Sequence, residues 1–211
     1  TVATEMYSAG IDRLTHQPLS FSVSETTEGV HIHIIDAELM GKGEKEKKDL
    51  YIEGVQNNGI INHYEYIINS EGTIEIRHVL KPEGKMPLWF PRIGLTLTVS
   101  DALDQVKWYG RGPQENYPDR KTGYPMGIYA STVQAMYEPY LMPQDYGLRT
   151  DVRWLQLTTD KGIGLQFKMN EWFNFNIYPY STDNLTKAMY TYQLQKQKGM
   201  TLNLDYATTG V

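Results

Sequence analysis

Apolar and polar residues alternate over short segments along most of the chain. A period of two residues is typical of β-strands with one buried face. In four places two such segments are separated by a short turn, as β-hairpins require. The predicted hairpins pair residues 21–25 with 30–35, 51–55 with 60–68, 60–68 with 73–79, and 153–158 with 162–169.

Further segments predict single strands, a last hairpin and one helix. The prolines in 17–18 and 81–84 are expected to break the chain. A helix is expected over 181–189, with Ser181 or Thr182 as its cap. The single strands are predicted at 3–7, 95–99, 104–108 and 172–177, and the last hairpin pairs 191–195 with 200–206.

Many short strands and only one short helix predict an antiparallel all-β fold. The strands do not alternate with helices, which excludes a (β/α)₈ barrel and a dinucleotide-binding fold. The chain has 211 residues, a length that suits one large β domain of ~200–250 residues. We find neither an internal repeat nor a linker, so residues 1–211 are predicted to form a single domain.

A dense polar segment, residues 108–120, follows the strand predicted at 104–108. Val106 and Trp108 share one face of that strand, and glycines with Pro113 are expected to end it. The polar side chains that follow suit a hydroxyl-rich ligand. The alternative is a well-hydrogen-bonded loop, in which Glu115 and Asp119 pair with Arg120 and Arg111.

Composition excludes several classes of partner and chemistry. A formal net charge of −5 argues against nucleic acid or an anionic membrane as a partner. The chain has no cysteine, so it has no disulfide, thiol nucleophile or thiolate metal site. It also lacks an apolar stretch long enough to span a bilayer. We expect a soluble protein and leave its compartment open between cytoplasm and periplasm.

Two histidines are the strongest candidates for a metal site, but the pattern does not support one. His31 and His33 lie two residues apart and point to the same face of a strand. We find no third ligand at a suggestive spacing, so both are interpreted as solvent-facing. Residues 40–48 form a charged loop that lacks the features of a phosphate cradle. No metal site is predicted.

The sequence Gly-Pro-Gln-Glu-Asn-Tyr-Pro-Asp-Arg at 112–120, preceded by Trp-Tyr-Gly, resembles the C-terminal "small chain" domain of the β-galactosidases of glycoside hydrolase family two. Residues 91–95, 140–151 and 173–181 agree with that domain in the same order. The resemblance covers most of the chain. It implies a large antiparallel β-sandwich of the galactose mutarotase-like, or supersandwich, type.

The resemblance also implies that catalysis is carried by another domain. The family's acid/base and nucleophile glutamates, and its Mg and Na ions, lie in a separate barrel domain, so we expect no catalytic residue and no cofactor here. The family's C-terminal domain lends an aromatic residue to the galactose site, from a segment expected just after Gly210 and Val211. Both ends of the chain therefore suggest a piece of a longer enzyme.

Eight residues are predicted to line a polar groove that contacts carbohydrate, with inter-loop hydrogen bonding as the alternative role. The expected function is the non-catalytic C-terminal domain of a retaining β-galactosidase, with the parent's other domains, a galactoside and homo-oligomer contacts as partners. A stand-alone mutarotase-like or aldose-epimerase domain and a purely structural packing domain are the alternatives. The eight candidates are Arg92, Gln114, Glu115, Asn116, Arg120, Arg149, Asp151 and Asn174.

Overall fold

The computed structural model describes residues 9–41 and 58–210. They belong to two compact units, Thr1–Trp89 and Phe90–Val211, which we describe separately. The predicted strands at 3–7 and 51–55, and the charged loop from residue 42 onward, lie outside the described residues. None of the helices in the described ranges is long and apolar enough to cross a membrane.

The first unit contains a four-stranded antiparallel sheet in the order β1-β2-β3-β4. A short 3₁₀ turn, Ile11–Arg13, precedes it. The strands are β1 (Thr15–Thr26), β2 (Gly29–Leu39), β3 (Gly59–Ile68) and β4 (Ile74–Glu83).

The prolines expected to break the chain in this unit lie within strands instead. Pro18 is in β1 and Pro82 is in β4. Both are edge strands of the sheet, where a residue without a backbone N–H is tolerated. A register shift follows Pro18, which absorbs the local irregularity.

The second unit contains a six-stranded antiparallel sheet in the order β5-β10-β9-β8-β6-β7. A short helix, α1 (Thr182–Lys187), follows β9, and the Ser181 hydroxyl caps it by accepting a hydrogen bond from Asn184 N–H, as predicted. The strands are β5 (Arg92–Val99), β6 (Gln105–Arg111), β7 (Met126–Thr132), β8 (Arg149–Thr158), β9 (Gly164–Tyr178) and β10 (Met200–Thr208).

Each unit contains one antiparallel sheet, and the predicted all-β class is confirmed. Several boundaries differ from the prediction. The strands expected at 162–169 and 172–177 are one continuous strand, β9, and β8 begins at Arg149 rather than Arg153. The mutarotase-like type and the single domain stay predictions.

The last predicted hairpin does not form. Residues Thr191–Gln193 adopt a 3₁₀ turn, and β10 pairs with β5 and β9. Side-chain oxygens accept hydrogen bonds from the backbone N–H groups of this segment. Gln193 Oε1 accepts from Met189 and Tyr190. Asn184 Oδ1 accepts from Gln195. Such local bonds satisfy the groups that a strand would have paired.

The core of the second unit is built around Trp108. Val106 and Trp108 of β6 are each 1% exposed, which confirms the predicted inward face. Trp108 meets Phe175 edge-on at 5.9 Å between ring centroids, and its indole N–H donates to the Arg111 carbonyl at 3.0 Å. The strand end that leads into the polar segment is therefore anchored in the core.

The opposite face of β9 and β10 is polar but also buried. Thr201, Asn203 and Asp205 alternate with Met200, Leu202 and Leu204, and each of the six is at most 5% exposed. The strands pair Asn203 with Asn176 and Asp205 with Asn174. Buried polar groups require hydrogen-bond partners, and those partners form part of the candidate site.

Candidate functional site

All eight candidate residues lie in the second unit. They lie at the start of one strand, in one loop and on two further strands. Arg92 begins β5; Gln114, Glu115, Asn116 and Arg120 lie between β6 and β7; Arg149 and Asp151 are on β8; and Asn174 is on β9.

The carboxylate of Glu115 is the centre of the loop between β6 and β7. Its Oε1 accepts from Arg120 Nη2 and from the Tyr140 hydroxyl. Its Oε2 accepts from the Gly147 N–H at 2.8 Å and from the Tyr117 hydroxyl at 3.4 Å. We call this set the Glu115 clamp. It confirms the expected Glu115–Arg120 pair and ties three separate parts of the chain together.

The tyrosines of the clamp act as hydrogen-bond donors. Burial and the hydrogen bond to Glu115 raise the pKa of Tyr140 to about 12. Burial and the neighbouring Glu115 also raise the pKa of Tyr117. Both hydroxyls therefore stay protonated at neutral pH, so they hold the carboxylate without adding negative charge.

Asn116 fixes the same loop to the start of β8. Its backbone N–H donates to the Leu148 carbonyl at 2.8 Å, and its side-chain Oδ1 accepts from the N–H and hydroxyl of Thr150 at 3.1 and 2.5 Å. The residue is 0% exposed. An amide so placed satisfies backbone groups that would otherwise be buried without partners.

Arg149 links the loop to the hydrophobic core. Its guanidinium donates to the Gly147 carbonyl at 2.8 Å and lies 5.4 Å from the centre of the Trp108 ring. Burial lowers its pKa to about 10, so it is still charged at neutral pH. A cation over an indole face is a favourable arrangement.

Asp151 holds the two cations Arg111 and Lys121. Arg111 Nε and Lys121 Nζ lie 2.5 and 2.8 Å from its carboxylate. Partial burial raises the pKa of Asp151, but the hydrogen bonds from Lys121 and Arg111 outweigh this and lower it overall. The expected pairing of Arg111 with Asp119 is therefore wrong, because β8 brings Asp151 to the end of β6.

Asn174 contacts the backbone of Asp151, and Gly210 makes a separate contact near the end of the described chain. Asn174 Oδ1 accepts from the Asp151 N–H at 3.3 Å, and its amide donates to the Thr208 hydroxyl at 3.1 Å. Gly210 lies against Asp119, since a Cβ atom there would be 2.2 Å from the Asp119 Cγ. The end of the described chain is thus packed beside residues 112–120, which we call the motif loop.

Arg92 belongs to a second polar set, which we call the Arg92 network. Its guanidinium contacts Asp145 at 3.2 Å, Asn176 at 3.3 Å and Asp205 at 3.0 Å. The Asn176 amide donates to Asp145 and to the Tyr146 carbonyl. These contacts supply the partners that the buried polar face of β9 and β10 requires.

The arrangement matches the hydrogen-bonding alternative for most of the eight residues. Glu115, Asn116 and Arg149 are at most 6% exposed, so they line the interior rather than an open groove. Gln114 is exposed and the Arg120 side chain is 41% exposed. Carbohydrate contact by the set stays a prediction. An open depression of about 560 Å³ lies elsewhere, at the start of β6, and none of the eight candidates lines it.

A potential metal cluster, which the sequence pattern did not indicate, lies in the first unit. His31 and His33 on β2 meet Glu65 on β3, with the ligand atoms of all three within 4.8 Å of one another. The third ligand that we did not find from spacing therefore comes from the neighbouring strand. His31 is not solvent-facing as expected, since its side chain is 14% exposed.

A sequence profile described as "Beta galactosidase small chain" matches residues 6–211. The chain belongs to this family. A β-galactosidase of Priestia megaterium is 38% identical over 146 residues, which cover 69% of this chain and 14% of that protein. A β-galactosidase of Vibrio cholerae is 31% identical over 206 residues, or 97% of this chain and 18% of that protein. The chain thus spans less than a fifth of either relative.

The Glu115 clamp predicts a large stability effect for this small-chain domain. Glu115→Ala should lower the free energy of unfolding by about 2–3 kcal/mol, because it leaves the buried Gly147 N–H and Tyr117 hydroxyl without their acceptor. Urea denaturation measures the change. Glu171→Ala, an exposed glutamate on β9, is the control and should change stability by no more than about 0.5 kcal/mol. Similar losses in both variants would contradict the clamp.

The Arg92 network predicts a pH effect through Asp205. Burial raises the pKa of Asp205 to about 7, although the Arg92 charge opposes this. Between pH ~4 and 7 the folded state then holds a proton that the unfolded state has lost, so stability falls as pH rises, by at most ~1.4 kcal/mol per pH unit. Asp205→Asn should remove this slope in urea titrations. If the pH dependence of the unfolding free energy is unchanged in Asp205→Asn, Asp205 is not its source and the prediction is wrong.

Proposed function

We propose that the chain is the non-catalytic C-terminal domain of a retaining β-galactosidase whose barrel domain hydrolyses terminal β-D-galactosides such as lactose. Its membership of the small-chain family supports this, as does its small share of relatives named β-galactosidase. In this proposal the Mg and Na ions of the parent enzyme belong to the barrel and not to the motif loop.

The observation that carries the proposal is the state of Glu115. A carboxylate that acts as nucleophile or general acid/base needs an oxygen free to meet the substrate. Both oxygens of Glu115 accept from protein donors, and the residue is 6% exposed. The most distinctive carboxylate of the motif is therefore a structural acceptor.

A second group of carboxylates is equally unsuited to glycoside hydrolysis. Asp145 and Asp205 both contact Arg92, but Asp205 is 1% exposed and cannot reach a sugar. Retaining hydrolysis needs two carboxylates on either side of the scissile bond, roughly 5–5.5 Å apart. Both carboxyl groups instead contact a guanidinium over the polar face of β9 and β10.

The clamp also positions an apolar protrusion suited to packing on another domain. Tyr140, which Glu115 holds, is followed by Leu141 at 96% exposure and Met142 at 53%. A side chain so exposed on a well-anchored loop is a favourable contact for a partner domain. We infer that this loop supports the barrel and that the exposed Gln114 and Arg120 contact the galactoside.

The alternative of a stand-alone mutarotase-like or epimerase domain is less well supported. That chemistry needs a general base and a general acid at the anomeric centre. Glu115 is engaged by the clamp, and all five histidines of the sequence precede the motif. In this proposal the domain resembles the mutarotases in fold and does not share their activity.

The proposal predicts that the isolated chain is inactive. The purified protein should not hydrolyse a chromogenic β-galactoside above the background of a mock purification, because the catalytic carboxylates lie in another domain. Turnover that follows the protein through every purification step and disappears in Glu115→Gln would contradict the proposal.

The packing role predicts a selective effect at Leu141. In the intact parent enzyme, Leu141→Asp should lower kcat/KM about tenfold, the factor that ~1.4 kcal/mol of lost docking energy represents. In the isolated chain it should leave the melting temperature unchanged. Ile163→Asp, which alters a residue 72% exposed at the β8–β9 turn, is the control and should retain activity. Equal losses of kcat/KM in the two variants would contradict a packing role for the 140–143 loop.

A further inference from the structure

Two histidines and a glutamate converge on one face of the first sheet. His31 and His33 are on β2, and Glu65 lies directly opposite His33 on β3. Glu65 Oε1 is 3.6 Å from His31 Nδ1 and 3.8 Å from His33 Nε2. One carboxylate oxygen thus faces a nitrogen from each ring.

We propose that these three side chains bind a Zn²⁺ ion. Tetrahedral zinc takes histidine nitrogens and carboxylate oxygens at about 2.0–2.2 Å, which places its ligand atoms roughly 3.3–3.6 Å apart. The Glu65 oxygen lies 3.6 and 3.8 Å from the two histidine nitrogens, close to that range, and the ligand atoms of all three residues lie within 4.8 Å of one another. Because the His33 side chain is 49% exposed, the fourth position is left for water.

Groups around the cluster would orient the ligands. Glu65 Oε2, the oxygen not used for zinc, accepts from Arg77 Nη1 at 3.0 Å. The other nitrogen of His31, Nε2, is buried and has no hydrogen-bond partner within the described part of the chain, but Glu28 Oε2 lies 4.0 Å away. A carboxylate hydrogen-bonded to a ligating histidine fixes its tautomer and strengthens it as a ligand. The exposed Glu28 side chain would have to close by about 1 Å to form that bond.

Charge and ligand type favour zinc over the common alkaline-earth ions. Glu28, Glu65 and Glu75 surround the site and Arg77 supplies the neighbouring cation, so the local charge is negative when the imidazoles are neutral. Two imidazoles with one carboxylate suit zinc, whereas Ca²⁺ and Mg²⁺ prefer oxygen ligands alone. The site is independent of the Glu115 clamp and of the proposed β-galactosidase role.

Calorimetric titration of the tag-free chain with ZnCl₂ tests the site. We expect one saturable zinc per chain, at least a tenfold loss of affinity in His33→Gln and in Glu65→Gln, and no comparable response to CaCl₂. His63→Gln is the matched control, because His63 lies two residues from Glu65 on the same face of β3. It should bind zinc within twofold of the unaltered chain.

Ring-nitrogen NMR shifts give a second readout that depends on geometry rather than stability. Zinc should perturb Nδ1 of His31 and Nε2 of His33. Absence of saturable binding, equal losses in His33→Gln and His63→Gln, or ligation through other nitrogens would overturn the proposal. Circular dichroism without metal confirms that each variant is folded, and His33 tolerates substitution because half of its side chain is exposed.

Discussion

The second unit depends on one buried carboxylate. Glu115 accepts from two tyrosines, an arginine and a backbone amide, and those donors come from the motif loop and from the segment that enters β8. Fixing Gly147 places its carbonyl for Arg149, and Arg149 then lies over the Trp108 ring. The hydrogen bonds of the buried carboxylate are in this way connected to the hydrophobic core.

The same segment covers the polar face of β9 and β10. Asp145 and the Tyr146 carbonyl bind Asn176, and Asn176 in turn accepts from Asn203. Tyr146 and Tyr178 pack beside this face with Leu185 of α1. At β9 and β10 the sheet therefore has an apolar layer on one side and a hydrogen-bonded layer on the other. The 140–148 segment joins this hydrogen-bonded layer to the Glu115 clamp.

Local pattern predicted the strands well because each strand has a period that a few neighbouring residues reveal. The inward face of Val106 and Trp108 and the Ser181 cap are examples. The pattern alone does not reveal that Asn203 and Asp205 are buried, because polar residues that alternate with apolar ones commonly face solvent. Alternation reports which residues share a face, and it does not report what covers that face.

Contacts between distant parts of the chain could not be predicted in this way. Arg111 binds Asp151, forty residues away, because β6 and β8 are neighbours in the sheet. Glu65 reaches His31 and His33 because β2 and β3 pair in one particular register. The spacing of these residues along the chain does not reveal either contact. The motif indicated that Arg111 is part of the polar loop, but it did not indicate that Asp151 is its partner.

The central claim, that Glu115 is a structural acceptor, is tested most directly by hydrogen exchange at the Gly147 amide, which donates to Glu115 Oε2 at 2.8 Å. In the unaltered chain this loop amide should exchange only through the global unfolding that also exposes the β8 amides. In Glu115→Ala it should exchange far faster than the amides of β8. Rapid exchange of Gly147 in the unaltered chain, or no change in the variant, would contradict the account.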